Sequence, residues 1–181
     1  MKNRPKVAVS KCLLGARCRW DGVPRPDERV MEIAGSVEFI PVCPETGIGL
    51  GVPREPVRIV SSGKEVRLIE KSTGRDLTDR MMRFASKTLG ALADIDGFIL
   101  KDRSPSCGVR NAGVYASRRS ADPVRKTSGF FAKEAIRKFR GTPVVTEGRL
   151  ASGPAREEFL RKITLSARGR ADRIRRVVCD L

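Results

Sequence analysis

The chain has 181 residues, 40% of them hydrophobic, which is enough for one substantial core and short for two domains. Its 37 Lys and Arg against 21 Asp and Glu give a formal charge of +16, so the surface attracts phosphates, carboxylates or nucleic acid. Histidine is absent, which removes the usual near-neutral general base and the commonest zinc ligand, and aromatics at 5% are few for a base-stacking nucleic-acid binder.

The N-terminal stretch before Ser10 carries far fewer apolar residues than the roughly 20 of a membrane span and lacks a signal-peptide h-region. A soluble cytoplasmic protein is expected, with no membrane partner. Five cysteines without secretory context read as reduced thiols, metal ligands or catalytic groups, not as a disulfide framework, and the odd count fits.

Lys6 to Ser10 reads as a short buried strand, and the Gly- and Pro-rich segment Lys11 to Pro26 as a loop, so Cys12 falls just past a strand end. Asp27 to Ala34 predicts a short helix stopped by Gly35. Val37 to Val42 is a second apolar strand running into Cys43-Pro44-Glu45, which repeats the placement of Cys12. After a Gly/Pro-rich loop, Val57–Val60 and Val66–Ile69 alternate like a β-hairpin about Ser61-Ser62-Gly63-Lys64, an excursion from the main sheet. Leu77, Met81, Met82, Phe84, Ala85, Leu89 and Leu92 mark one face of a helix from Leu77 to Ala93. Gly97 to Leu100 is a third buried strand, followed at once by a polar loop ending in Cys107-Gly108. Phe131, Ala135, Ile136 and Phe139 predict another helix, with Ser128 as its cap, and Pro143 to Thr146 a last strand. A final helix begins near Pro154 and turns Phe159, Leu160 and Ile163 inward.

Strands alternating with helices imply a Rossmann-like three-layer α/β fold with a mostly parallel sheet. Such sheets bind ligands outside the carboxyl ends of their strands, where Cys12, Cys43 and Cys107 all fall. The expected organisation is one domain over residues 1–167 and a basic C-terminal extension over 168–181 that carries Cys179. Three thiolates gathered from distant loops repel each other unless a cation or cluster neutralises them. A closed zinc site needs a fourth ligand, for which Cys18 is the available cysteine. A cluster held by three cysteines instead leaves one iron open to substrate. Scattered structural cysteines are the third reading. Glu45 and Ser104 fall in the same pocket as candidate proton-handling groups, against the plainer readings of a cap or surface carboxylate and a turn residue before Pro105. Asp21 either caps its loop or faces the pocket. Gly47, Gly49 and Gly51 lack a dinucleotide-binding pattern and suggest close backbone approach to cluster or substrate.

The segments SKCLLGARCRWDG, PVCPETGIGLGVPREP, DLTDR and LKDRSPSCG, in that order across Lys6 to Gly148, closely resemble the 2-thiouracil desulfurase family, long catalogued as domain of unknown function 523. The resemblance implies an oxygen-sensitive 4Fe-4S cluster held by Cys12, Cys43 and Cys107, whose remaining iron takes the sulfur of a thiolated pyrimidine. It implies acid/base and substrate-handling roles for Glu45 and Ser104, and non-redox hydrolysis of the C=S bond. Cys18 matches a recurrent family cysteine that is not an iron ligand. Relatives with an additional C-terminal domain act on thiolated tRNA, so this shorter chain points to a free base, nucleoside or nucleotide, while its charge would also favour tRNA. A zinc-stapled RNA-binding module, and a cluster protein serving as sulfur carrier or redox sensor, are the alternatives.

Overall fold

The computed structural model describes residues 4–179, with side chains through Arg170. The strands are β1 (Lys6–Ser10), β2 (Glu38–Val42), β3 (Val57–Ser62), β4 (Glu65–Glu70), β5 (Gly97–Leu100), β6 (Ala112–Tyr115), β7 (Pro123–Thr127) and β8 (Val144–Thr146). The α-helices are α1 (Glu28–Glu32), α2 (Pro44–Gly47), α3 (Thr78–Ala91), α4 (Phe130–Lys138) and α5 (Gly153–Cys179). Among the described residues no helix is long and apolar enough to cross a membrane.

The main sheet has the order β2-β1-β5-β8 and is parallel throughout. Its central strands are apolar runs because both faces are covered, as parallel sheets require. Val7, Val9 and Ile99 pack with Val30 of α1, Ile33 just after it, and Phe159 and Ile163 of α5. Ala8, Phe98 and Leu100 pack the opposite way against Ala85 and Leu89 of α3 and Phe131 and Ala135 of α4. Alternate residues of one strand thus feed two cores, each fully buried large side chain stabilising by about 1.5–3 kcal/mol. Gly97 lets α5 approach closely, since a Cβ there would lie 2.6 Å from Ile163. The expected three-layer α/β fold is the one found.

The excursion is larger than the hairpin read from the sequence. β3 and β4 join β6 and β7 in a second four-stranded sheet of order β4-β3-β6-β7, in which β3 and β6 are parallel. The last two strands escaped sequence reading for a physical reason. β7 is an exposed edge strand, PVRKT, with no apolar alternation, and β6 has only four residues. One face of this sheet closes a third core of Val57, Ile59, Leu68, Ala112 and Val114 with Leu77 and Met81.

Helix ends also differ from expectation. Asp27 caps α1 by accepting the Arg29 and Val30 N–H groups. α4 is capped from Gly129, and Ser128 Oγ instead accepts the Arg110 N–H at 3.1 Å. α5 continues through position 168, tied down by Asp96, which accepts from Ser166 Oγ at 2.8 Å and pairs with Arg170 at 2.7 Å. The Cys179 side chain lies outside the described ones.

Candidate functional site

Strand register gathers the site. Ser10 of β1 lies opposite Val42 of β2, and Val9 opposite Ile99 of β5, so the three strands end at one level. β1 sits between β2 and β5, which is where the strand order reverses and loops leave on opposite sides. Cys12 stands in the helical turn Lys11–Leu14 that follows β1, and Cys43 caps α2 directly after β2. Cys107 ends the loop after β5. All three line one cavity of about 260 Å³, together with Cys18, Glu45, Arg54, Lys101 and Ser104. Trp20, 47% exposed, forms part of its rim.

The loop bearing Cys107 is held from two directions. Ser104 Oγ accepts the backbone N–H groups of Ser106 at 3.2 Å and Cys107 at 3.1 Å. The start of α4 docks on the same loop: Gly129, Phe130 and Ala132 donate their N–H groups to the carbonyls of Gly108, Pro105 and Ser106. These are donors that a helix leaves free at its first turn. Gly129 is required by that contact, because a Cβ there would lie 2.5 Å from the Ser106 carbonyl carbon.

Glu45 has both oxygens engaged. Oε2 accepts from Arg54 Nε at 3.1 Å and Nη2 at 2.7 Å, and Oε1 accepts from Ser106 Oγ at 3.1 Å. Arg54 Nη2 also donates to the Cys18 carbonyl at 3.0 Å, so one buried guanidinium ties the Cys18 loop to Glu45. Lys101 pairs with Glu147, whose other oxygen accepts the Asp102 N–H at 2.8 Å.

The thiols interact with one another. Burial pushes Cys12 up to about 11, and neighbouring Cys43 adds to the shift. Cys18 is pushed up to about 12 by burial, then by Cys43 and Cys12. Cys107 is raised by burial despite a hydrogen bond with the Ser10 side chain. Cys43 Sγ donates to the Cys18 carbonyl at 3.7 Å. Without metal the Cys12, Cys18 and Cys107 thiols hold their protons, which a bound metal would displace. Among the described residues no three His, Cys, Asp or Glu groups are arranged to hold a single metal ion. A tetrahedral zinc with 2.3 Å bonds needs its sulfurs about 3.8 Å apart. A cluster spreads its metal atoms and takes ligands that stand wider. A sulfur-only donor set from three loops, with Lys101 and Arg19 beside Cys12 to offset thiolate charge, suits such a cluster.

All five residues singled out from the sequence, Cys12, Cys43, Cys107, Glu45 and Ser104, line this cavity. Asp21 does not: it pairs with Arg19 at 3.0 Å and accepts the Val23 N–H, closing its own turn. The Gly47 approach is to a ring, since a Cβ there would lie 2.2 Å from Phe84, and Gly49 faces Arg80. Arg54, Ser106 and Gly129 went unnoticed. The first two sit inside the quoted motifs, but nothing local shows that they meet Glu45.

A family model described as 2-thiouracil desulfurase matches residues 7–147. The uncharacterized protein YbbK of Bacillus subtilis (strain 168) is 32% identical over 151 residues, covering 80% of this chain and 97% of its own. The solved structure of the 4Fe-4S-dependent thiouracil desulfidase TudS superposes with a TM-score of 0.65 at 29% identity, covering 82% of this chain and 94% of that one. The chain belongs to the 2-thiouracil desulfurase family, a family of enzymes.

Proposed function

We propose that the protein removes sulfur from a small thiolated pyrimidine, 2-thiouracil or a thiouridine nucleoside or nucleotide, by non-redox hydrolysis to the oxo base and sulfide. The gathering of Cys12, Cys43 and Cys107 around one cavity carries this reading. Family membership and the cluster dependence of TudS support it. The three cysteines would hold a 4Fe-4S cluster. When bound, that cluster supplies an iron without a protein ligand, a Lewis acid for the thiocarbonyl sulfur.

The chain's own groups handle the protons. Glu45 Oε2 already accepts two Arg54 N–H groups and Oε1 one Ser106 hydroxyl, so the acceptor position left is on Oε1. Oε1 takes the proton of the water that adds to the C=S carbon. Ser104 Oγ has both lone pairs occupied by backbone N–H groups, so its hydroxyl acts only as a donor, towards a ring nitrogen or exocyclic atom of the substrate. This chemistry belongs in a reducing compartment, the cytoplasm, in keeping with four free cysteines among the described residues.

Protein purified without oxygen should contain iron and sulfide and convert 2-thiouracil to uracil. Glu45→Gln and Ser104→Ala should each lower turnover by about 10²-fold or more with iron retained. One zinc and no iron after anaerobic reconstitution would instead favour the zinc-stapled alternative.

A further inference from the structure

The second sheet turns one face to the third core, so the pleat sends Arg58, Arg67, Tyr115 and Lys126 to the other. Cations dominate this side. From Arg110 to Thr127 the chain carries Arg110, Arg118, Arg119, Arg125 and Lys126 against the single acid Asp122. Among the described residues none of those cations is ion-paired, whereas Arg67 and Arg75 nearby are.

Two arginines here are fixed in place without being neutralised. Arg58 Nη1 donates to the Ser120 carbonyl at 2.6 Å, and its guanidinium lies 4.4 Å from the centre of the Tyr115 ring. Arg118 Nη1 donates to the carbonyls of Lys71 at 2.9 Å and Ser72 at 2.7 Å. Neutral acceptors hold these heads, so their full charge and remaining N–H groups stay available. Side-chain entropy that a phosphate contact would otherwise cost is already spent. Arg119 and Lys126 extend the patch from the turn to the exposed edge strand, whereas Arg125, opposite Val114, points to the other side of that strand.

We propose that this outer face and the β6–β7 hairpin, through Arg58, Arg118, Arg119 and Lys126, form a docking surface for the phosphate backbone of RNA. Arginine forks match phosphate oxygens bidentately. A second copy of this chain carries the same +16 and is repelled. An anionic membrane calls for inserted apolar groups, and of the exposed large hydrophobic residues only Val124 lies on this sheet. The cationic surface stands without the desulfurase reading. The choice of RNA over DNA rests on that reading, because uracil-type bases belong to RNA.

The test is binding of a fluorescein-labelled, mixed-sequence, single-stranded RNA of about 20 nucleotides to the full-length, anaerobically purified protein across a salt series. The double variant Arg119→Ala, Lys126→Ala leaves the two anchored arginines holding the turn. It should weaken binding at least fivefold and lower the slope of log K against log salt by about 1.4, two contacts at roughly 0.7 each. A control pair on α3, Arg83→Ala, Lys87→Ala, removes equal charge and should change binding by less than twofold. Equal weakening by both pairs would make the binding a net-charge effect and overturn the surface. So would absence of RNA binding, preference for DNA of the same length, or capture by phosphatidylserine vesicles through the same residues in place of RNA. Turnover of free 2-thiouracil should be unchanged in the first pair of substitutions. Absent RNA binding by an unaltered protein that still turns over 2-thiouracil condemns this surface alone, and absent turnover in an unaltered protein that still binds RNA condemns the desulfurase reading alone.

Discussion

Gly129→Ala adds one methyl group 22 positions from Cys107 in sequence and directly against its loop. The new Cβ would lie 2.5 Å from the Ser106 carbonyl carbon, 2.6 Å from its oxygen and 2.8 Å from the Cys107 nitrogen, all backbone atoms that no rotamer change can move aside. Restoring an ordinary 3.4 Å contact requires the loop to retreat by about 0.6–0.9 Å from α4. That retreat strains the bonds from Gly129, Phe130 and Ala132 to the loop carbonyls, and overpacking of this kind costs about 1–3 kcal/mol. It also displaces Cys107, Ser106 and, through Ser106, the hydroxyl that holds Glu45, and a misplacement near 1 Å costs about 10²-fold in rate. Urea unfolding of the reduced, metal-free protein reads the first effect; iron content and thiouracil turnover after anaerobic purification read the second. Gly169→Ala, in open space within α5, is the matched control and should stabilise by about 0.5–1 kcal/mol. Wild-type stability, iron content and turnover in Gly129→Ala would refute the claim that this glycine buttresses the cysteine loop.

Arg54→Met should destabilise the reduced, metal-free protein by about 3 kcal/mol, because it strands a Glu45 side chain that is 15% exposed beside an arginine that is 6% exposed. Adding Glu45→Gln should recover part of that loss, giving a coupling near 2 kcal/mol in a double-mutant cycle read by urea unfolding, whereas additive losses would remove the pairing from the account. Stability of the metal-free protein should also fall as pH rises above 9. The thiols of Cys12 and Cys18 have an ordinary value of 9.0 and are pushed up to about 11 and about 12 in the folded protein, so the folded state holds more protons in that window. The stabilisation is complete below 9 and lost through 11 and 12, and urea midpoints at about pH 8 and 10.5 should show a smaller drop in Cys18→Ala.

The amino-acid sequence by itself determined the three strand ends of the main sheet and the cysteines beyond them. Lys6–Ser10, Val37–Val42 and Gly97–Leu100 are apolar runs broken abruptly by polar, Gly- or Pro-containing turns, and a central parallel strand writes its double burial directly into such a run. Glu45 and Ser104 were legible because they lie two and three positions from cysteines, within the segments that resemble the family. What these two residues do was decided in three dimensions: Ser104 as a donor with both lone pairs taken by its own turn, and Glu45 with one acceptor position left. Arg54, Ser106 and Gly129 were likewise decided by packing, since their partners lie 9, 61 and 23 positions away and no local pattern encodes such a meeting. The second sheet shows the same limit. β7 is held by pairing with β6 and by arginines donating to carbonyls across the turn, so an exposed, cationic strand leaves no apolar period in the sequence to announce it.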